Sequence, residues 1–212
     1  DDPRISAFDD STPAGAEPVR KVRKGIYVLP NAITLAALFA GFYAVVMAMN
    51  GRFEASAIGI FVAAVLDALD GRIARMTKSQ SAFGEQMDSL SDMVNFGAAP
   101  ALIMYQWALK DLGRLGWIPP FVYLAGAALR LARFNTNIGI VDRRFFQGLP
   151  SPAAAALVVG FIWTMDDAGF RNLAGDRWLI WTAFAITLYA GITMVTNAPF
   201  YSFKDISGVR TV

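Results

Sequence analysis

The chain contains neither cysteine nor histidine. Without cysteine there is no disulfide, no thiolate metal centre and no thiol nucleophile. Without histidine the commonest general base is missing, and proton transfer falls to carboxylates. Charge is also sparse. Only 17% of the 212 residues are charged, against 55% hydrophobic, and the mean hydropathy is +0.42. The formal net charge of +2 says little by itself, and no nucleic-acid partner is expected. Residues 1–25 lack an apolar core, so no secretory signal peptide is expected. No initiator Met is present, so the start is expected to be trimmed.

What the chain has in quantity is apolar runs of about 20 residues, the length that crosses a bilayer as a helix. Six are expected: Val28–Met49, Phe53–Met76, Ala82–Ala108, Trp117–Phe134, Ser151–Met165 and Trp178–Thr196. The fold class read from them is all-α, a polytopic transmembrane helix bundle of about six spans, with the active site at its cytoplasmic end. Residues 1–27 read as a polar and basic, partly disordered or interfacial segment, 28–199 as one transmembrane domain, and 200–212 as a polar tail.

Orientation follows the placement of Lys and Arg. Arg20, Lys21, Arg23 and Lys24 precede the first span; Arg72, Arg75, Lys78, Arg130, Arg133, Arg143, Arg144 and Lys204 share their side. Arg52, Lys110, Arg114, Arg171 and Arg177 lie opposite. The bias puts the N-terminus at the cytoplasmic face. Trp107, Trp117, Trp163, Trp178 and Trp181, near span ends, read as an interfacial belt.

Against this apolar background, Asp67, Asp70, Asp88 and Asp92 stand out. An ionised carboxylate in hydrocarbon is costly unless something compensates it. In a helix, Asp67, Asp70, Gly71, Ala74 and Arg75 share one face; Gly84, Asp88 and Asp92 recur every fourth residue on another. Two helices joined by a short loop pack antiparallel, so the acidic faces meet. Four such carboxylates make an oxygen site for Mg2+ or Mn2+, with Ca2+ also suited, and have room for two ions. Gly71, Ala74 and Gly84 leave space for a ligand against the backbone. Arg75 offers a planar fork for phosphate. Together these features suggest a diphosphate substrate. A polar helix pair lining an ion path is the competing reading, but it leaves the glycines and Arg75 unexplained.

The pattern D-x2-D-G-x2-A-R-x8-G-x3-D-x3-D, from Asp67 to Asp92, resembles the signature of the CDP-alcohol phosphotransferase family at every specified position. Three more segments, SDMVNFGAAPAL, ALRLARFN and RRFFQGLPSPAAAA, resemble its membrane-embedded phosphatidylserine synthase branch. The likeness runs from about Leu29 to Pro199. It implies transfer of the phosphatidyl group from CDP-diacylglycerol to L-serine with release of CMP. It further implies metals on Asp67, Asp70, Asp88 and Asp92, with Asp92 as general base and Asp88 beside it in the catalytic set. The nucleotide and diphosphate would be held by Asn31, Thr34, Asp70, Gly71, Ala74, Arg75, Ser81 and Gly84. Asn31 and Thr34 can equally be a helix-start cap or a helix–helix hydrogen bond. Arg130, Arg133, Arg143 and Arg144 are candidates for the serine carboxylate or a phosphate, although interfacial arginines also simply snorkel. Membrane lipids are expected partners, in the inner or plasma membrane of a prokaryote, and the family implies a homodimer. Some relatives carry further C-terminal spans, so this chain is expected to be trimmed there. The rivals are the same chemistry on glycerol phosphate or inositol phosphate, and a divalent-cation transporter.

Overall fold

The structure, a computed structural model, describes residues 28–77, 79, 81–136, 146–170, 176–196 and 199–200. Among the described residues, seven α-helices carry the fold: α1 Val28–Met49, α2 Phe53–Met76, α3 Ala82–Asp92, α4 Ala99–Trp107, α5 Ile118–Thr136, α6 Ser151–Asp167 and α7 Arg177–Val195. A π-helical turn, Met93–Ala98, joins α3 to α4 without a loop, and a 3-10 segment, Leu109–Leu115, comes after α4. Two short strands, β1 Phe146–Gln147 and β2 Pro199–Phe200, pair antiparallel with Phe146 opposite Phe200.

α1 stops because Asn50 and Gly51 come next. Gly51 takes φ +71°, a left-handed conformation that closes a helix C-terminus. Its N–H bonds the Ala48 carbonyl at 2.9 Å, and α2 begins two residues later. The resulting hairpin is tight: a Cβ on Gly59 would lie 2.9 Å from Ala44 Cβ. With 44 opposite 59, antiparallel register brings the start of α1 to the end of α2. Thr34 thereby reaches Asp70.

The stretch expected as one helix over 82–108 is helical nearly throughout, but widens at 93–98. Pro100 has no N–H for the Phe96 carbonyl four residues earlier. The buried Tyr123 hydroxyl, from α5, donates to that carbonyl at 2.8 Å. α5 and α7 cross backbone to backbone: Gly126 abuts the Gly191 carbonyl, and a Cβ on Gly191 would lie 2.8 Å from the Tyr123 main chain. Small residues at such crossings let helices touch where apolar surroundings give no driving force for association. The core between these elements includes Phe96, Ile103, Met104, Val158, Ile162 and Leu179, all fully buried.

All six expected stretches are helical. Among the described residues, by length and apolarity alone, two helices can cross a membrane, Leu29–Met49 and Arg177–Val195, or three if the 3-10 segment and α5, bent by 93°, count as one span. The other helices differ for physical reasons. α2 carries Glu54, Asp67, Asp70, Arg72 and Arg75, and α6 has 17 residues. Large apolar side chains such as Phe39, Phe42 and Tyr189 are exposed on the outside of the bundle. Apolar helices clothed this way make a membrane protein. The aromatic-belt expectation needs correcting at Trp107, which is buried edge-on to Phe161. Trp163 is half-buried against Phe61. Trp117, Trp178 and Trp181 are exposed.

Candidate active site

Two helix ends and one helix start build the site. α2 ends at Met76, where the Thr77 hydroxyl turns back to the Ile73 carbonyl at 2.7 Å. A few residues later Ser81, extended, caps α3 by accepting the Gly84 N–H at 3.0 Å. α2 and α3 both pack on α1 rather than along each other, and their acidic side chains reach across the gap. One carboxylate oxygen each of Asp67, Asp70 and Asp88 lies within 4.8 Å of the others. The Asp92 carboxyl meets that of Asp67. Its Oδ1 is buried with no protein partner.

α1 joins the two acidic helices. The Thr34 hydroxyl, itself buried, donates to Asp70 Oδ2 at 2.6 Å. The Thr34 carbonyl accepts from Ser91 at 3.4 Å, and Ser91 in turn accepts from the buried Asn95 amide at 3.1 Å. A continuous ladder thus runs from the π-helical turn through α1 to Asp70. The interhelical role considered for Thr34 is realised, and its bond is to a carboxylate of the site.

Like charges this close repel strongly in a poorly solvated place unless a cation sits between them. The donor set is all oxygen, an Asp92 oxygen is orphaned, and the surface beside Gly71 is open, with no atom within 4 Å of where its Cβ would be. These residues fit a hard divalent cation. Shortening Asp70's support should therefore weaken the metal. In Thr34→Val, Mn2+ affinity measured by titration is expected to fall about 10- to 100-fold, as when other supports behind a metal ligand are lost, with helix content unchanged by circular dichroism.

The remaining candidates fall around this cluster. Asn31 Oδ1 lies 3.3 Å from where a Cβ on Gly84 would be, so the start of α1 borders the floor formed by the α3 glycine. Ala74 is half-buried and Arg75 exposed at the end of α2. Ser81, expected to touch the nucleotide, spends its oxygen on the helix cap. Arg130, half-buried on α5, donates to Ser151 at the start of α6 at 3.2 Å and feels the charge of Asp92. Its Nε is buried without a partner. Arg133 donates to the Val195 carbonyl at 3.5 Å. Arg143 and Arg144 lie outside the described residues. Sequence reasoning missed Ser91, Tyr123 and Ser151. Only Pro100, eight residues after Asp92, signalled that a helical carbonyl there would need a donor from elsewhere.

Residues 27–189 match the CDP-alcohol phosphatidyltransferase family. The chain belongs to that family. The carboxylate cluster of this CDP-alcohol phosphatidyltransferase lies on its α2–α3 pair. Among its relatives is the CDP-diacylglycerol–serine O-phosphatidyltransferase of Helicobacter pylori, 35% identical over 181 residues, 85% of this chain and 75% of that protein. The protein of the same name from Mycobacterium leprae is 38% identical over 189 residues, 86% of this chain and 61% of its own length. An archaetidylserine synthase of Methanothermobacter thermautotrophicus is 35% identical over 138 residues, 64% of this chain and 58% of its own. In fold, the chain is similar to Mycobacterium tuberculosis phosphatidylinositol phosphate synthase solved with CDP-DAG bound. That likeness has a TM-score of 0.61 at 19% identity, covering 82% of this chain and 87% of the other.

Proposed function

We propose that this chain transfers the phosphatidyl group of CDP-diacylglycerol to the hydroxyl of L-serine and releases CMP. The observation that carries the chemistry is the convergence of Asp67, Asp70 and Asp88, with Asp92 beside them. The acceptor is supported by the names of the relatives, which are serine transferases.

In this reading Asp67, Asp70, Asp88 and Asp92 hold two divalent ions, Mg2+ or Mn2+, with Ca2+ fitting the same ligands. Such ions, when bound, neutralise the diphosphate and stabilise the departing CMP. The protein does the rest. Thr34 keeps Asp70 turned toward the site. Gly71, Ala74 and Gly84 floor the nucleotide, and Asn31 and Ser81 border it. Arg75 clamps a phosphate oxygen. Asp92 takes the proton of the serine hydroxyl as its oxygen attacks the lipid-bearing phosphorus. The new P–O bond forms as the bond to the CMP oxygen breaks, and Asp92 later gives its proton to solvent. Arg130, backed by Ser151, binds the serine carboxylate, with Arg133 one turn along and Arg143 and Arg144 as further candidates from the sequence. The lipid tails lie in a groove open to the bilayer.

The same reading has residues 28–199 as the catalytic domain with six spans. The basic segment 1–27 and the site would face the cytoplasm of a prokaryote, residues 200–212 would form a polar tail, and the protein would act as a homodimer. The test is incubation of the purified chain with CDP-diacylglycerol, Mg2+ or Mn2+, and a panel of serine, glycerol 3-phosphate and inositol phosphate, with products identified by mass. Serine alone should yield CMP and phosphatidylserine. Turnover with a phosphorylated alcohol instead would move the acceptor assignment, and ion flux in proteoliposomes without CMP release would overturn the enzyme. Arg130→Ala should raise the KM for serine at least about tenfold, the loss of roughly 1.4 kcal/mol, with the KM for CDP-diacylglycerol little changed. Equal changes in both would contradict the carboxylate role.

A further inference from the structure

We infer that Tyr123, which touches no substrate in this reading, is a positioning residue: its hydroxyl fixes the widened turn that aims Asp92. Asp92 is the last residue of α3, and the π-helical turn begins at Met93. Within it the Ala99 N–H reaches back five residues to the Val94 carbonyl. A turn holding one extra residue rotates the helix before it by about 100° relative to the helix after it, since an α-helix has 3.6 residues per turn. The helix after it, α4, is anchored: its Ile103 and Met104 are fully buried. Were the turn to slacken, the end of α3 beside it would therefore be the part to shift, and Asp92, next to the turn, would move from Asp67 while Asp88, one turn farther away, moved less.

Two features hold the turn open. Pro100 withholds the N–H that the Phe96 carbonyl would otherwise receive. Tyr123 supplies a hydroxyl in its place, at 2.8 Å. Tyr123 cannot track a carbonyl that moves, because its ring is fully buried and its main chain is packed on Gly191. The α5–α7 crossing thus fixes Tyr123, Tyr123 fixes the Phe96 carbonyl, and that carbonyl fixes the turn adjoining Asp92.

The inference rests on Asp92 acting as the general base in serine transfer. Tyr123→Phe keeps the ring and removes the hydroxyl. It should lower kcat by about 100-fold, the scale of a misplacement of order 1 Å. The KM values for both substrates, and the stoichiometry of Mn2+ bound in a titration, should stay near wild type. A smaller folded fraction would instead lower that stoichiometry. Pro100→Ala returns a main-chain N–H to the same carbonyl and lets the turn tighten, so it should lower kcat by itself; in that background Tyr123→Phe should cost less than about tenfold, most of the geometric effect having already been lost. Should Tyr123→Phe alone fail to bind Mn2+, a Pro100→Ala single variant that binds Mn2+ with a comparable loss of kcat supports the inference, and one as fast as wild type overturns it. A Tyr123→Phe protein as fast as wild type, or an equal cost in both backgrounds, also overturns it. A wild-type chain that releases CMP with no acceptor would sink the serine-transfer function, whereas those two outcomes in an active enzyme would sink only the role of Tyr123.

Discussion

Asp92→Asn is expected to lower turnover by about 1,000-fold, the middle of the range for loss of a positioned general base. The amide matches the carboxyl in size and can still occupy the space beside Asp67, but it cannot accept the serine proton. The buried Oδ1, which no protein group partners, is the atom that loses its function. CMP release at saturating serine and CDP-diacylglycerol measures the effect. Mn2+ binding should survive in weakened form, because Asp67, Asp70 and Asp88 still converge. Full turnover in this variant would remove Asp92 from the proton transfer.

Asp88→Ala should have the opposite balance, abolishing metal binding first and activity as a consequence. It deletes one of three carboxylates whose oxygens share a space under 4.8 Å wide. It also removes repulsion, so the variant should melt at a higher temperature than wild type when both are stripped of metal by a chelator. With Mn2+ added the order should reverse. An ion at 100 times its Kd stabilises the wild-type fold by about 2.7 kcal/mol, and the variant should gain little. Thermal melts of both proteins, with and without Mn2+, give the four values needed. A variant stabilised by Mn2+ as much as wild type would mean that Asp88 is not a ligand.

The parts of the fold legible in the sequence are those set by uninterrupted local patterns. α1 and α2 begin and end where their apolar runs do, because Asn50 and Gly51 break the chain between them. The acidic pair was legible because 3.6-residue periodicity fixes which carboxylates share a face. The widened turn after Asp92 was not, since one extra residue in a helical stretch of 82–107 scarcely disturbs that periodicity. The partners of the site were also hidden. Thr34 reaches Asp70 across 36 residues, Tyr123 reaches Phe96 across 27, and Arg130 reaches Ser151 across 21. Those contacts depend on how helices cross, through Gly59 on Ala44 and Gly191 on Tyr123, and no single segment encodes a crossing. Trp107 shows the same limit. A tryptophan near a helix end resembles an interface anchor until Phe161 is seen packed against it.

The central claim is that the α2–α3 carboxylates grip a nucleotide–lipid diphosphate by way of divalent ions. Its most direct measurement is the affinity of the chain for CDP-diacylglycerol with Mn2+ and after chelation, in wild type and Asp88→Ala. The account predicts tight binding only for wild type with Mn2+, with chelated wild type falling to the level of the variant. Equal affinity for the lipid with and without the metal would contradict it.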